Sequence, residues 1–281
     1  MEFTKMHGLG NDFVVFAQFT ELPEDAEQLA IELCNRNFGV GADGLVFILP
    51  SEIADVRMRI MNADGTEAEQ CGNAIRCVAK YAYEYDIAKR DQMTIQTEAG
   101  VQSVELHFDD PKEKVISVTV DMGEPILEGK LIPSAIDASI VIEQPVSVGE
   151  QIFNYTAVSM GNPHAIIFVP DAAEFPVETW GPQIEVDPLF PRKTNVEFVT
   201  VVADNHVVMR VWERGVGQTL ACGTGACATA VASVLNNRTK RELIVSLKGG
   251  DLYINWDEKD NHVYMTGSAT EVFKGTIKID K

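Results

Sequence analysis

"CGNAIRC" at residues 71–77 and "CGTGAC" at 222–227 each set a Cys-Gly step ahead of a helix-forming run, "VAKYAYEY" in the first case and "ATAVASVL" in the second. The leading cysteines, Cys71 and Cys222, lie 151 residues apart, and the same offset brings other passages into register. Gly10-Asn11 falls on Gly161-Asn162, "GLVFI" (44–48) on "NVEFV" (195–199), and "MRI" (58–60) on "MRV" (209–211). Agreement at several places under one offset marks an internal repeat. The chain reads as two similar halves that face each other across a pseudo-twofold axis.

The pattern between these anchors alternates strands with helices. Residues 12–19, 45–49 and 56–61 have the β-branched content or alternation of strands, as do 93–97, 101–108 and 115–121. Ala26, Leu29, Ala30, Leu33 and Cys34 share one face of a helix over 24–37. The second half repeats the rhythm, with strands at 165–169, 196–202, 207–212, 242–247, 251–256 and 262–266 and a helix over 222–236. The charged stretch "DDPKEK" (109–114) reads as a hairpin turn, and no low-complexity linker interrupts the chain.

Composition narrows the function. The length of 281 residues suits two domains, and 46% hydrophobic residues suffice to fill both. A net charge of −19 argues against nucleic acid and anionic membrane as partners. With no long apolar window and no signal peptide, the expected location is cytoplasmic. In that compartment the five cysteines (34, 71, 77, 222 and 227) are expected to be free thiols.

The offset also pairs polar residues: Asn11 with Asn162, Gly44 with Asn195, Asn62 with Glu213, and Asn73 with Thr224. If equivalent halves meet, these residues line one cleft. A cysteine at a helix start feels the positive end of the macrodipole, which favours its thiolate. Just after it, the backbone N–H groups of Gly72-Asn73 and Gly223-Thr224 have no intrahelical acceptor and suit a carboxylate. Two such starts facing one α-carbon could remove a proton from one side and return one to the other, inverting the centre. Zinc is disfavoured, because the Cys spacings leave five and four residues between partners with no His close by. A redox Cys-x-x-Cys, a dinucleotide fingerprint and a P-loop are absent from the sequence, and no cofactor or metal is called for. Cys34, Cys77 and Cys227 read as core residues.

The ordered set "KMHGLGNDF" (5–13), "GADG" (41–44), "NADG" and "CGNAIRC" (62–77), "SMGNPHA" (159–165), "TNVEF" (194–198), "VWERG" (211–215) and "ACGTGA" (221–226) resembles the diaminopimelate epimerases over essentially the whole chain. That resemblance implies PLP-independent conversion of LL- to meso-diaminopimelate, for lysine and peptidoglycan synthesis, by a homodimeric enzyme. It implies Cys71 and Cys222 as the acid/base thiols, and Gly72, Asn73, Gly223 and Thr224 as a carboxylate cradle. It further implies Asn11, Asn62, Asn162, Asn195, Glu213 and Arg214 as substrate contacts, with His164 and Glu213 tuning the thiols. Some members carry Gln at the position of Gly44, which has no side chain to offer. The implied fold is α+β, two similar domains, each a curled mixed β-sheet around a central helix. The domains would be 1–120 with 270–281, and 121–269, the last strand crossing back to complete the first.

Glu213 and Arg214 stand side by side with opposite charges, matching the amine and carboxylate at the far end of diaminopimelate. Two alternatives stay open: a racemase of the same superfamily with another substrate, and a non-catalytic carboxylate-binding or redox-sensing protein.

Overall fold

The computed structural model describes residues 1–109 and 114–278. It divides into two compact units, Met1–Asp121 with Thr266–Lys281, and Met122–Met265. The first unit runs β1 (Glu2–Gly8), β2 (Asn11–Phe16), α1 (Ala26–Cys34), β3 (Gly44–Leu49), β4 (Val56–Asn62), β5 (Glu67–Ala68), α2 (Gly72–Glu84), β6 (Gln92–Thr97), β7 (Gly100–Phe108) and β8 (Val115–Asp121). The second runs β9 (Gln144–Val148), β10 (Gln151–Ser159), β11 (Pro163–Phe168), α3 (Val177–Glu185), β12 (Asn195–Ala203), β13 (His206–Glu213), β14 (Gly217–Gln218), α4 (Gly223–Leu235), β15 (Glu242–Leu247), β16 (Gly250–Trp256) and β17 (Val263–Gly267). β18 (Thr270–Thr276) then pairs antiparallel with β1 of the first unit.

Both units follow one plan. In the first, β18, β1, β2, β3, β4, β6, β7 and β8 are successive neighbours, parallel only at β2–β3 and β4–β6. Those two parallel steps are the ones crossed by α1 and α2, since parallel neighbours need a crossover. In the second unit β9, β10, β11, β12, β13, β15 and β16 repeat the order, parallel only at β11–β12 and β13–β15, with α3 and α4 as crossovers. The helices start and end 151 residues apart in both cases, α1 with α3 and α2 with α4. The fold is α+β, with few helices and curled mixed sheets.

The sheet of each unit wraps its long helix. α2 touches β1, β3, β4, β6, β7 and β8, while α4 touches β10, β11, β12, β13, β15 and β16. A helix enclosed on every side cannot be amphipathic in the usual sense. α4 meets this with small residues, Ala226 to Ser233 all being buried. Its buried hydroxyls are satisfied, Ser233 Oγ donating to Thr229 O (2.7 Å) and Thr229 Oγ1 to Met209 Sδ (3.1 Å). α1 packs on β3 and β4, so β3 is covered on both faces and all six of its residues are buried. That double cover explains why "GLVFIL" is an unbroken apolar run rather than an alternating one.

Several expectations need correction. α3 is absent from the sequence reading because Pro182 and Gly181 interrupt the helical pattern, yet nine residues there are helical. The sequence pattern also assigns no strand at β1, β9 or β10, and the strand expected over 12–19 stops at Phe16. The second unit ends at Met265, four residues short of the expected end at 269. Thr266 Oγ1 bonds Thr119 Oγ1 (2.6 Å) and Ser268 O accepts from Arg76 Nε (3.2 Å), which ties both residues to the first unit. β7 and β8 pair antiparallel, as the hairpin reading of "DDPKEK" requires, but residues 110–113 of that stretch lie outside the described residues.

Gly181 shows how the repeat tolerates divergence. Its counterpart in the first unit is Ala30, and the facing residues are Trp212 and Met61 respectively. A Cβ at Gly181 would lie 2.5 Å from Trp212 Cβ. Gly181→Ala should therefore destabilise the protein by about 1–3 kcal/mol in urea unfolding. Adding Trp212→Met should make the double variant more stable than the sum of the two, by about 0.5 kcal/mol or more. Strict additivity would show that the ring does not impose the glycine.

Candidate active site

In the first unit, Cys71 is the N-cap of α2, with extended backbone angles (φ −150°, ψ 111°) and a half-buried side chain. Asn11 reaches it from the β1–β2 turn, where Leu9 and Gly10 both have positive φ (56° and 84°). The Cys71 thiol donates to Asn11 Oδ1 at 3.7 Å, and Asn73 Nδ2 donates to the same oxygen at 3.1 Å. Asn11 Nδ2 in turn donates to Asp43 Oδ2 (2.7 Å). Arg36 joins Asp43 (2.8 Å) to Asp12 (2.7 and 3.2 Å), and Lys5 pairs with Asp12 at 2.5 Å. Burial pushes Asp12 up, but the Arg36 and Lys5 contacts outweigh it and hold the carboxyl at about 2. The chain of charges thus fixes which way the Asn11 amide faces.

Arg76, fully buried on α2, braces the same helix start by donating to Gly72 O (3.0 Å) and Asn73 Oδ1 (2.9 Å). Asn62 ends β4, with Nδ2 on Thr66 Oγ1 (3.0 Å). A Cβ at Gly44 would meet Met61 O at 2.8 Å, so this backbone has no room for a side chain there.

In the second unit, Cys222 is the N-cap of α4 with matching angles (φ −128°, ψ 112°), and its side chain is buried. Its sulfur accepts from Gly225 N (3.4 Å) and contacts Thr224 Oγ1 (3.6 Å). His164 is buried, Nδ1 lying 2.6 Å from Glu197 Oε1 and Nε2 2.9 Å from Asn162 Oδ1. Since an amide oxygen only accepts, Nε2 carries a proton. Asn195 is buried, with Oδ1 accepting from Arg214 N (2.9 Å) and Nδ2 donating to Pro163 O (2.8 Å).

Two readings from the sequence change here. The macrodipole was expected to favour the thiolate at both helix starts. At Cys222 burial, then the neighbouring Glu213 and Glu197, raise the thiol well above its ordinary value. Loss of hydration and two acidic neighbours outweigh the half-charge of a helix end. The side-by-side charges also differ in their surroundings. Glu213 accepts from Thr219 Oγ1 and is bonded to Cys222, and burial raises it. Arg214 is exposed and donates to Arg192 O (3.3 Å).

Cys34 and Cys77 are buried and pushed up to about 12 by that burial, so both stay protonated at physiological pH. Three residues escaped the sequence reading: Asp43, Glu185 and Glu197. Glu197 carried the clearest signal, a charged residue inside the apolar run "NVEFV" whose counterpart is Val46. Among the described residues no group of three or more His, Cys, Asp or Glu could hold a metal ion. No helix among them is long and apolar enough to cross a membrane.

The sequence profile of diaminopimelate epimerase matches residues 3–128 and 156–272. The chain belongs to the diaminopimelate epimerase family. It is 50% identical over 279 residues to a diaminopimelate epimerase of Methanococcus maripaludis, covering 99% of this chain and 100% of that one. To the one of Pelotomaculum thermopropionicum it is 54% identical over 277 residues, covering 98% of each. Among solved structures, a probable proline racemase from Agrobacterium radiobacter superposes with a TM-score of 0.73 at 14% identity, covering 99% of this chain and 93% of that one. A phenazine biosynthesis protein from Bacillus anthracis gives 0.71 at 17%, covering 99% of each. Those likenesses concern the fold. Membership in the family makes this chain an enzyme of the epimerase class.

The Asp12 network offers a test through pH. Its folded value is lowered from 3.8 to about 2, so its stabilisation is complete above about pH 4 and is lost as pH falls through about 2. Asp12→Asn should lower Tm at pH 6, and the gap to wild type should close between about pH 4 and 2. A gap independent of pH would remove the charge network as its cause.

Proposed function

We propose that this enzyme interconverts LL- and meso-diaminopimelate, using Cys71 and Cys222 on opposite faces of one α-carbon, without PLP. The observation that carries the reading is the repeat itself: two cysteines in extended N-cap conformation, each heading an enclosed helix. The first-turn N–H groups of Gly72-Asn73 and Gly223-Thr224 bind the α-carboxylate and take up negative charge that develops there. One sulfur, as thiolate, takes the α-proton, and the C–H electron pair stays on carbon, delocalised into the carboxylate. The other sulfur gives its proton to the opposite face. The centre is inverted, and the two thiols have exchanged protonation states. Cys222, which holds its proton strongly, serves as the acid in one direction of the reaction, and the two thiols exchange roles in the other.

Asn11 and Asn162 orient the substrate at its reacting end, with Asn62 and Asn195 beside them. Arg214 reads the distal carboxylate, its backbone held by Asn195. Glu213 tunes Cys222 and, beside Arg214, is the contact for the distal amine. The reading places the enzyme in lysine and peptidoglycan precursor synthesis, in the cytoplasm, as a homodimer.

Incubation with LL-diaminopimelate in D2O without PLP should give meso product carrying deuterium at the inverted carbon. Unlabelled product, or racemised proline in place of diaminopimelate, would overturn the assignment. Cys71→Ala and Cys222→Ala should each lower kcat by about 10³-fold or more, as expected when an acid or base is removed from a concerted pair. Arg214→Met should raise KM for diaminopimelate by roughly 10²-fold, the cost of an unpaired ligand carboxylate. An unchanged KM would remove Arg214 from the distal end.

A further inference from the structure

The offset that aligns the two units sets His164 and Glu197 on Phe13 and Val46. The strand ladders agree: Phe13 pairs with Gly44 and Val15 with Val46 on β2–β3, and His164 pairs with Asn195 and Ile166 with Glu197 on β11–β12. All four side chains are buried. The scaffold is therefore satisfied by an apolar pair at this place, and in the second unit it carries an ionisable pair whose desolvation is costly.

Glu197 joins three elements. From β12 its Oε1 lies 2.6 Å from His164 Nδ1 on β11. Its Oε2 is buried without a hydrogen-bond partner among the described residues. A Cβ on Gly225 would come within 2.7 Å of Oε1, so the carboxyl lies against the first turn of α4. That turn carries Cys222, whose sulfur accepts from Gly225 N.

We propose that Glu197 is a positioning residue for the reaction, fixing Asn162 through His164 and keeping Cys222 a proton-bearing thiol from beneath the first turn of α4. His164 keeps its Nε2 proton on Asn162, so Nδ1 and Glu197 share a single proton. The pair is neutral overall wherever that proton lies, and its acidic end faces α4. The titratable groups bearing on Cys222 within this unit are Glu213 from β13 and Glu197 from β12, with His164 of β11 behind Glu197. α4 itself contributes the Thr224 hydroxyl. The catalytic meaning of the arrangement rests on the epimerase reading, whereas its effect on the Cys222 sulfur does not.

The test uses the full chain and three variants: Glu197→Gln, Glu197→Asp, and the double variant His164→Phe/Glu197→Val that copies the first unit. Iodoacetamide labelling of Cys222, followed by peptide mass across a pH series, reads the thiol without substrate. Glu197→Gln should move the labelling midpoint down by about half a pH unit or more, because the carboxyl facing the first turn of α4 no longer bears on the sulfur. It should lower kcat by about tenfold or more while KM changes by less than about threefold, the signature of a reaction-step effect. Glu197→Asp should recover part of both. The double variant should keep a Tm at or above wild type and still lose kcat. A wild-type labelling midpoint in Glu197→Gln, or wild-type kcat in the double variant, overturns the proposal. If none of the three variants folds, the pair is structural and the proposal fails. If wild type does not epimerise diaminopimelate, the functional reading fails, and the labelling series still decides the role of Glu197.

Discussion

Enclosure of the central helix is the constraint on which the rest of this protein depends. Once a sheet closes around α2 or α4, every lateral face is committed to packing, and only the ends remain available to a ligand. An enclosed helix must then place its chemistry at its first turn, where backbone N–H groups lack intrahelical partners. A Cys in extended conformation followed by Gly is a direct consequence: the sulfur projects from the N-cap and nothing shields the N–H groups behind it. Enclosure also sets the composition. Small residues let strands approach α4 from all directions, and the longer polar chains on α2 are accommodated by hydrogen bonds, as Arg76 is by Gly72 O, Asn73 Oδ1 and Ser268 O.

Upon this repeated scaffold the two units diverge in charge. Phe13 and Val46 answer to His164 and Glu197, Cys34 to Glu185, Asn62 and Ala63 to Glu213 and Arg214, and Arg76 to Cys227. Glu185 illustrates the pressure involved. A carboxylate in the last turn of α3 opposes the helix dipole, and it is buried as well. It is offset by accepting from Trp212 Nε1 (2.8 Å) and Gly215 N (3.0 Å), which pins both sides of the turn that carries Glu213 and Arg214. Around Cys71 a buried guanidinium braces the helix start, whereas around Cys222 the neighbours are carboxyls. The same backbone plan thereby gives two thiols different surroundings.

Much of the fold was legible before any coordinates. The offset of 151, the Cys-Gly helix starts and the buried face of α1 follow from periodicity and from residue types that admit few conformations. α3 was hidden, because a proline and a glycine inside nine residues erase the helical signal. There the helix is held by packing, with Gly181 under the Trp212 ring. β1 and β10 stayed unassigned, though they occupy matching places in the two units.

The sequence by itself determined the repeat, the cysteines heading the enclosed helices, and the asparagines that accompany them. Those are properties of order and spacing, and they survive without knowledge of what touches what. Only the tertiary structure decided the electrostatics. A helix start predicts a favoured thiolate, but at Cys222 desolvation and the approach of Glu213 and Glu197 reverse the sign. Adjacent charges at 213 and 214 look alike in sequence, but burial raises Glu213, whereas Arg214 is exposed. Burial and proximity between distant segments set the energy of a charge, and neither is written in the local order of residues.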